Sequence, residues 1–125
     1  MNPKRPYPST PRVLRVLPAA GAVLAAVAVA LSAYSAHAAE PAAAARLQSA
    51  ALFAFGHGIA LAALGPLAVR WPARLALMNL LAGTLLFSGS LVAAHFFATP
   101  TVFAPLGGGL MILAWLLWAV DAVRR

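Results

Sequence analysis

Few side chains in this sequence could do chemistry, and their spacing narrows the choice further. His57 lies between Gly56 and Gly58 in an otherwise uncharged stretch. An imidazole titrates near neutral pH, so in an apolar setting it could carry a proton or contact a ligand. With no carboxylate close in sequence, it reads instead as a neutral ring that clamps two helices. Asn79, Thr84, Ser88 and Ser90 follow on the next apolar stretch. Thr84 and Ser88 stand i,i+4 on one helical face. Counting depth at about 1.5 Å per residue brings both level with His57. The expected contact is therefore a hydrogen bond between His57 and Ser88 or Thr84. A serine and a histidine are also the types of a nucleophile and its base, but nothing beside them suggests an oxyanion site.

The remaining ionisable groups lie near the ends of apolar runs. His37, Glu40, Arg46 and His95 read as a solvated rim, because no H-x-x-H or E-x-x-H spacing makes a metal site of them. Asp121, three residues before Arg124, is expected to pair with it. The sequence has no H-E-x-x-H, G-x-S-x-G, phosphate loop or pair of acids, and no cysteine. No metal, cofactor or enzymatic activity is expected.

The elements that must position these groups are apolar throughout. Of the 125 residues, 63% are hydrophobic and 9% charged, where soluble domains carry roughly 25% charged residues. A water-soluble domain of this length could not cover that much apolar surface. Four uncharged runs stand out, Val16–Ala36, Leu47–Val69, Leu75–Ala94 and Val102–Val120. Each is near the ~20 residues that cross about 30 Å of hydrocarbon as a helix. The expected fold is all-α, a four-helix membrane bundle with short loops and helices near 14–36, 45–69, 74–97 and 102–123. A proline-rich, flexible basic tail at 1–12 precedes this single domain at 13–125. Glu40-Pro41 reads as a helix start, which draws the second helix toward Pro41.

The net charge is +7, yet the cations lie between or outside the apolar runs and form no stripe that would suit a nucleic acid. Lys4, Arg5, Arg12, Arg15, Arg70, Arg74, Arg124 and Arg125 fall on one side of the four spans; Arg46 alone falls on the other. The positive-inside rule then places both termini in the cytoplasm, with the lipid bilayer as the first partner. A competing reading takes the first span as a secretory signal cleaved after Ala36-His37-Ala38. The length of that apolar run favours its retention.

Small residues point to packing. Ala50, Ala54, Gly58, Ala62 and Pro66 recur every four positions, as do Ala22, Ala26 and Ala30, and Gly107-Gly108-Gly109 opens the last span. Such stripes let helix backbones approach closely in lipid.

The stretch Gly83-Thr84-Leu85-Leu86-Phe87-Ser88-Gly89-Ser90-Leu91 resembles the G-T-x-L-F-S-G-S-L motif of the YgdD-like small membrane proteins, domain-of-unknown-function family 423. Pro105-Leu106-Gly107-Gly108 with Trp115 is similar to that family's P-x-G-G…W. Ala36-His37 stands where the family has G-A-H, with Ser35 in place of the glycine. Phe55-Gly56-His57 stands where it has A-F-H, with Gly56 interposed. The resemblance runs from Ala20 to Arg125. It implies four spans in a bacterial inner membrane and a retained first helix, with no known activity or substrate. It singles out His57, Thr84, Ser88, Gly89, Ser90, Pro105 and Gly107, beside Gly108 and His37 in its other motifs. The expected role is a scaffold or accessory protein acting by packing with itself or a membrane partner. The alternative is a proton or small-solute transporter or channel working through His57, along a path from His37 or His95 to Asn79.

Overall fold

The computed structural model describes residues 9–37 and 39–125. Among them all regular structure is helical: α1 (Val13–His37), α2 (Pro41–Leu64), α3 (Trp71–Phe97) and α4 (Phe103–Val123). Each is long and apolar enough to cross a membrane. Short connections make successive helices antiparallel, so the 65–70 turn and the Val13 and Val123 helix ends share one end of the molecule. The first eight residues of the basic tail, with Lys4 and Arg5, and the cleavage-like position Ala38 lie outside the described residues.

Prolines set most of the boundaries. Glu40 is extended (φ −63°, ψ 151°) and Pro41 occupies the first turn of α2. The missing N–H of a proline costs nothing there, so α2 starts four residues before 45. At its far end Gly65-Pro66-Leu67 tightens into a single 3₁₀ turn instead of continuing to 69. An α-helical Pro66 would lack its hydrogen bond and press its ring on the preceding turn. Arg70 is again extended and Pro72 sits in the first turn of α3, which therefore begins three residues before 74. α3 closes at Ala98, the one non-glycine with positive φ (53°) among the described residues. That left-handed residue turns the chain toward α4.

Packing is strongest within the hairpins α1–α2 and α3–α4, weaker between α2 and α3, and slight between α1 and α3. α1 does not pack on α4 to any comparable extent. The four helices thus form an all-α bundle with short loops, arranged as an open row of two docked hairpins. Each hairpin crosses at a pair of glycines. A Cβ on Gly58 would stand 2.7 Å from the Gly21 carbonyl oxygen and 2.9 Å from the Ala25 nitrogen. A Cβ on Gly83 would stand 2.8 Å from the Gly107 carbonyl oxygen and 2.9 Å from the Met111 nitrogen. Real Cβ atoms do not fit at such distances, so glycine is required where backbone meets backbone.

The crossings are equivalent position by position. Gly21 meets Gly58, Leu61 and Ala62, while Gly83 meets Gly107, Leu110 and Met111. Gly58 in turn meets Ala25, and Gly107 meets Phe87. The α2 stripe is packed where expected, with Ala50, Ala54 and Gly58 buried, although Pro66 is exposed. The α1 stripe is not: Ala22, Ala26 and Ala30 are exposed, and Leu17, Gly21, Ala28 and Ser35 are buried in their place. A strict four-residue repeat drifts off a 3.6-residue face, whereas alternating steps of three and four stay on it.

A hydrophobic cluster of Leu17, Leu61, Ala68, Ala73, Leu77, Leu80, Met111 and Ala114 joins all four helices toward the 65–70 turn. Elsewhere large apolar side chains face outward, among them Val23 and Val27 on α1, Leu52 and Ile59 on α2, and Ile112 and Leu116 on α4.

Candidate functional site

His57 is half-buried on α2 and uses both ring nitrogens. Its Nδ1 lies 2.7 Å from the Phe53 carbonyl oxygen one turn back, which assigns the proton to Nδ1. Its Nε2 then accepts a hydrogen bond from Trp115 Nε1 on α4 at 3.2 Å. The ring is stacked on Phe53 at 5.7 Å between centroids, and Phe53 contacts Phe87 of α3 at 4.7 Å. An imidazolium could not accept from Trp115, so the bond as formed belongs to the Nδ1–H tautomer. It joins α2 to α4, two helices that otherwise scarcely touch.

The expected bond from His57 to Ser88 or Thr84 is not formed. Ser88 Oγ donates instead to the Ala50 carbonyl oxygen of α2 at 2.8 Å, and Thr84 Oγ1 donates to Leu80 within α3 at 2.7 Å. Two causes are visible. Ser88 is level with Ala50, about two turns from His57, because α3 extends nine residues beyond Ser88 to Phe97 while only four separate Ala50 from Arg46, so equal counts from those two positions do not reach equal depth. His57 is also rotated toward α4. Trp115 carries the partner group, and in the sequence it stands only as the tryptophan of the P-x-G-G…W stretch.

The other singled-out residues separate. Gly107 is buried in the α3–α4 crossing, whereas Gly108 and Gly89 face open space and Pro105 is exposed in the first turn of α4. Ser90 is 9% exposed, and its hydroxyl has no hydrogen-bond partner among the described residues. His37 is exposed in the last turn of α1, as are Glu40 and Arg46 beyond it. His95 pairs with Tyr34 Oη of α1 at 3.1 Å, beside Phe96. At the same end Ser32 and Gln48 pin α1 to α2: Ser32 Oγ donates to Gln48 Oε1 at 3.1 Å and Gln48 Nε2 returns a bond to the Ser32 carbonyl at 3.2 Å. Among the described residues no three His, Asp or Glu side chains come together as metal ligands.

Asp121 differs most from expectation. Its side chain is only 1% exposed, and its partners are Arg125 Nε at 3.1 Å and Arg70 Nε at 3.5 Å, not Arg124. Arg124 caps the end of α4, and its carbonyl accepts from Arg70 Nη1 at 3.4 Å. Arg125 also lies over the Trp118 ring at 4.9 Å. Arg74 folds back on the preceding turn and donates to the carbonyls of Ala68 (3.1 Å) and Val69 (2.7 Å). In the sequence Arg70 and Arg74 stand only as charges that set orientation; their spacing of four residues at the end of an apolar run is the one signal that they meet a turn.

The fold and these contacts define a strand-free, four-helix chain, as far as it is described, several of whose polar side chains tie one helix to another. Its model match extends over residues 31–108, more than half of the chain, and on that ground the chain belongs to DUF423, a family of proteins of unknown function. Neither a curated protein nor a solved structure matches it.

Proposed function

We propose that this chain is a four-span protein of the bacterial inner membrane, with both termini in the cytoplasm, that acts as a scaffold or accessory component and not as an enzyme. The observation that carries this reading is that most polar side chains of the helices find hydrogen-bond or ionic partners within the chain while large apolar side chains face outward on every helix. That distribution suits hydrocarbon, where an unpaired polar group costs several kcal/mol. The cations at Arg12, Arg15, Arg70, Arg74, Arg124 and Arg125 favour the cytoplasmic side for the Val13 and Val123 helix ends. The bacterial inner membrane follows from the family resemblance.

A helix-packing role is supported by two glycine crossings and by a histidine engaged on both nitrogens. A proton path through His57 would first have to break its bond from Trp115. The test is a reporter fused after Arg125, combined with alkaline carbonate washing of membranes. The protein is expected to stay in the membrane pellet, with the reporter active only on the cytoplasmic side. A reporter reachable from outside intact cells, or release into the wash, would sink the proposal.

A further inference from the structure

Asn79 is a polar side chain on α3 with no hydrogen-bond partner among the described residues, although it is only half-buried and its helix is long and apolar enough to span a membrane. It lies eight residues from Trp71, about 12 Å along the axis. The 27-residue α3 is roughly 40 Å long, so Asn79 lies about 7 Å inside a 30 Å hydrocarbon layer. Nine residues separate Asn79 from Ser88, which is half a turn at 100° per residue. Since Ser88 faces α2, Asn79 faces away from it. Leu75, Ala82 and Gly89 are exposed on that same side, and a Cβ on Gly89 would meet nothing within 4 Å.

The outward face has a regular spacing. Asn79, Ala82, Leu86, Gly89 and Ala93 step by three and four residues, the repeat that keeps one face against a partner helix. Its far half opens into a groove of about 500 Å³ lined by Leu85, Leu86, Gly89, Ser90, Ala93 and Phe103. There the buried Ser90 hydroxyl is a second polar group without a partner.

The geometry points to this face of α3 as a homodimer interface, in which Asn79 bonds to Asn79 of a second copy. A carboxamide offers both donors and an acceptor, so two copies related by a two-fold axis along the membrane normal satisfy each other. Acyl chains offer neither group. Copies inserted the same way present α3 to α3 in parallel. The small residues at 82, 89 and 93 allow the backbones to approach. This inference rests on the membrane-spanning reading and names the partner that reading leaves open.

The chain contains no cysteine, so single-cysteine variants of the full-length protein report contacts cleanly. In phosphatidylcholine–phosphatidylglycerol bilayers, oxidation should cross-link Ala82→Cys, Leu86→Cys and Gly89→Cys. Leu81→Cys and Val92→Cys, turned away from the centre of the stripe by about 120° and 100° by helical geometry, should remain monomeric. Asn79→Leu, which leaves an apolar surface helix intact, should weaken dimerisation roughly tenfold, and Asn79→Gln should largely restore it. Equal cross-linking at all five positions, cross-linking confined to Gly108→Cys on α4, or an Asn79→Leu protein that dimerises as before would overturn the assignment. A carbonate-resistant protein that stays monomeric overturns it alone; release by carbonate overturns the membrane reading as well.

Discussion

His57 illustrates how one hydrogen bond decides a residue's role. Its two nitrogens face different helices, and only the neutral tautomer serves both. Trp115→Phe removes the donor while nearly preserving the ring. It should lower the unfolding free energy in detergent by about 0.6–2 kcal/mol, the range of interhelical hydrogen bonds in membranes. His57→Gln should leave the fold within about 1 kcal/mol, since a carboxamide can still accept from the indole. Reconstituted in vesicles with a pH-sensitive dye, both variants and the native chain should be equally tight to protons. A leak that His57→Gln removes would restore the transport reading. The polar residues were legible as a short, conspicuous set, but their pairing was not. Pairing depends on the offset between helices and on rotation about each axis. Neither is encoded in the spacing of Thr84, Ser88 and His57 along their own helices.

Among the helices, the two crossings make the sharpest expectation. Gly107→Ala would place a Cβ 2.6 Å from the Gly83 carbonyl oxygen. The backbones would have to part, at a cost of roughly 1–3 kcal/mol in thermal or denaturant unfolding. Gly108→Ala and Gly109→Ala meet nothing within 4 Å. They should be neutral, or stabilising by up to about 1 kcal/mol through better helix propensity. If Gly107→Ala proved as harmless as its neighbours, the α3–α4 crossing would be wrong. The existence, type and approximate length of all four helices could be read from uncharged runs and prolines, because those signals are local. Gly21 and Gly83 could not be picked out as crossing points, because a glycine's role there depends on the backbone of another helix. The glycine triplet drew the eye to three positions, yet only Gly107 meets a neighbour.

For the whole molecule, the buried Asp121 ties the last turn of α4 to the start of α3 through Arg70. Its Oδ1 has no hydrogen bond and only the charge contact with Arg70 at 3.5 Å. Arg70→Ala would leave that buried oxygen without its counter-charge. Arg70 is itself half exposed, with 48% of its side chain accessible, so solvent screening reduces the loss to about 1–2 kcal/mol. Asp121→Asn should loosen the same junction, seen as faster proteolysis after Arg70 or Arg74 in the folded protein. If Arg124→Ala destabilised the protein through its side chain more than Arg70→Ala did, the observed pairing would be in error. The arginines were legible as charges at the ends of uncharged runs, because that placement is a property of the sequence alone. Their second use as tethers depends on the open row, and the chain alone does not reveal whether four apolar helices close into a ring.

The matched glycine crossings bear on how the chain assembles. Each hairpin contains both halves of its own contact, Gly21 with Gly58 and Gly83 with Gly107. During synthesis the first pair has everything it needs before the third helix leaves the ribosome, since amino-terminal units form first. On the proposed membrane-spanning reading, insertion would then proceed two helices at a time, with the Arg-Trp-Pro-Ala-Arg stretch at 70–74 dividing two nearly identical acts of closure.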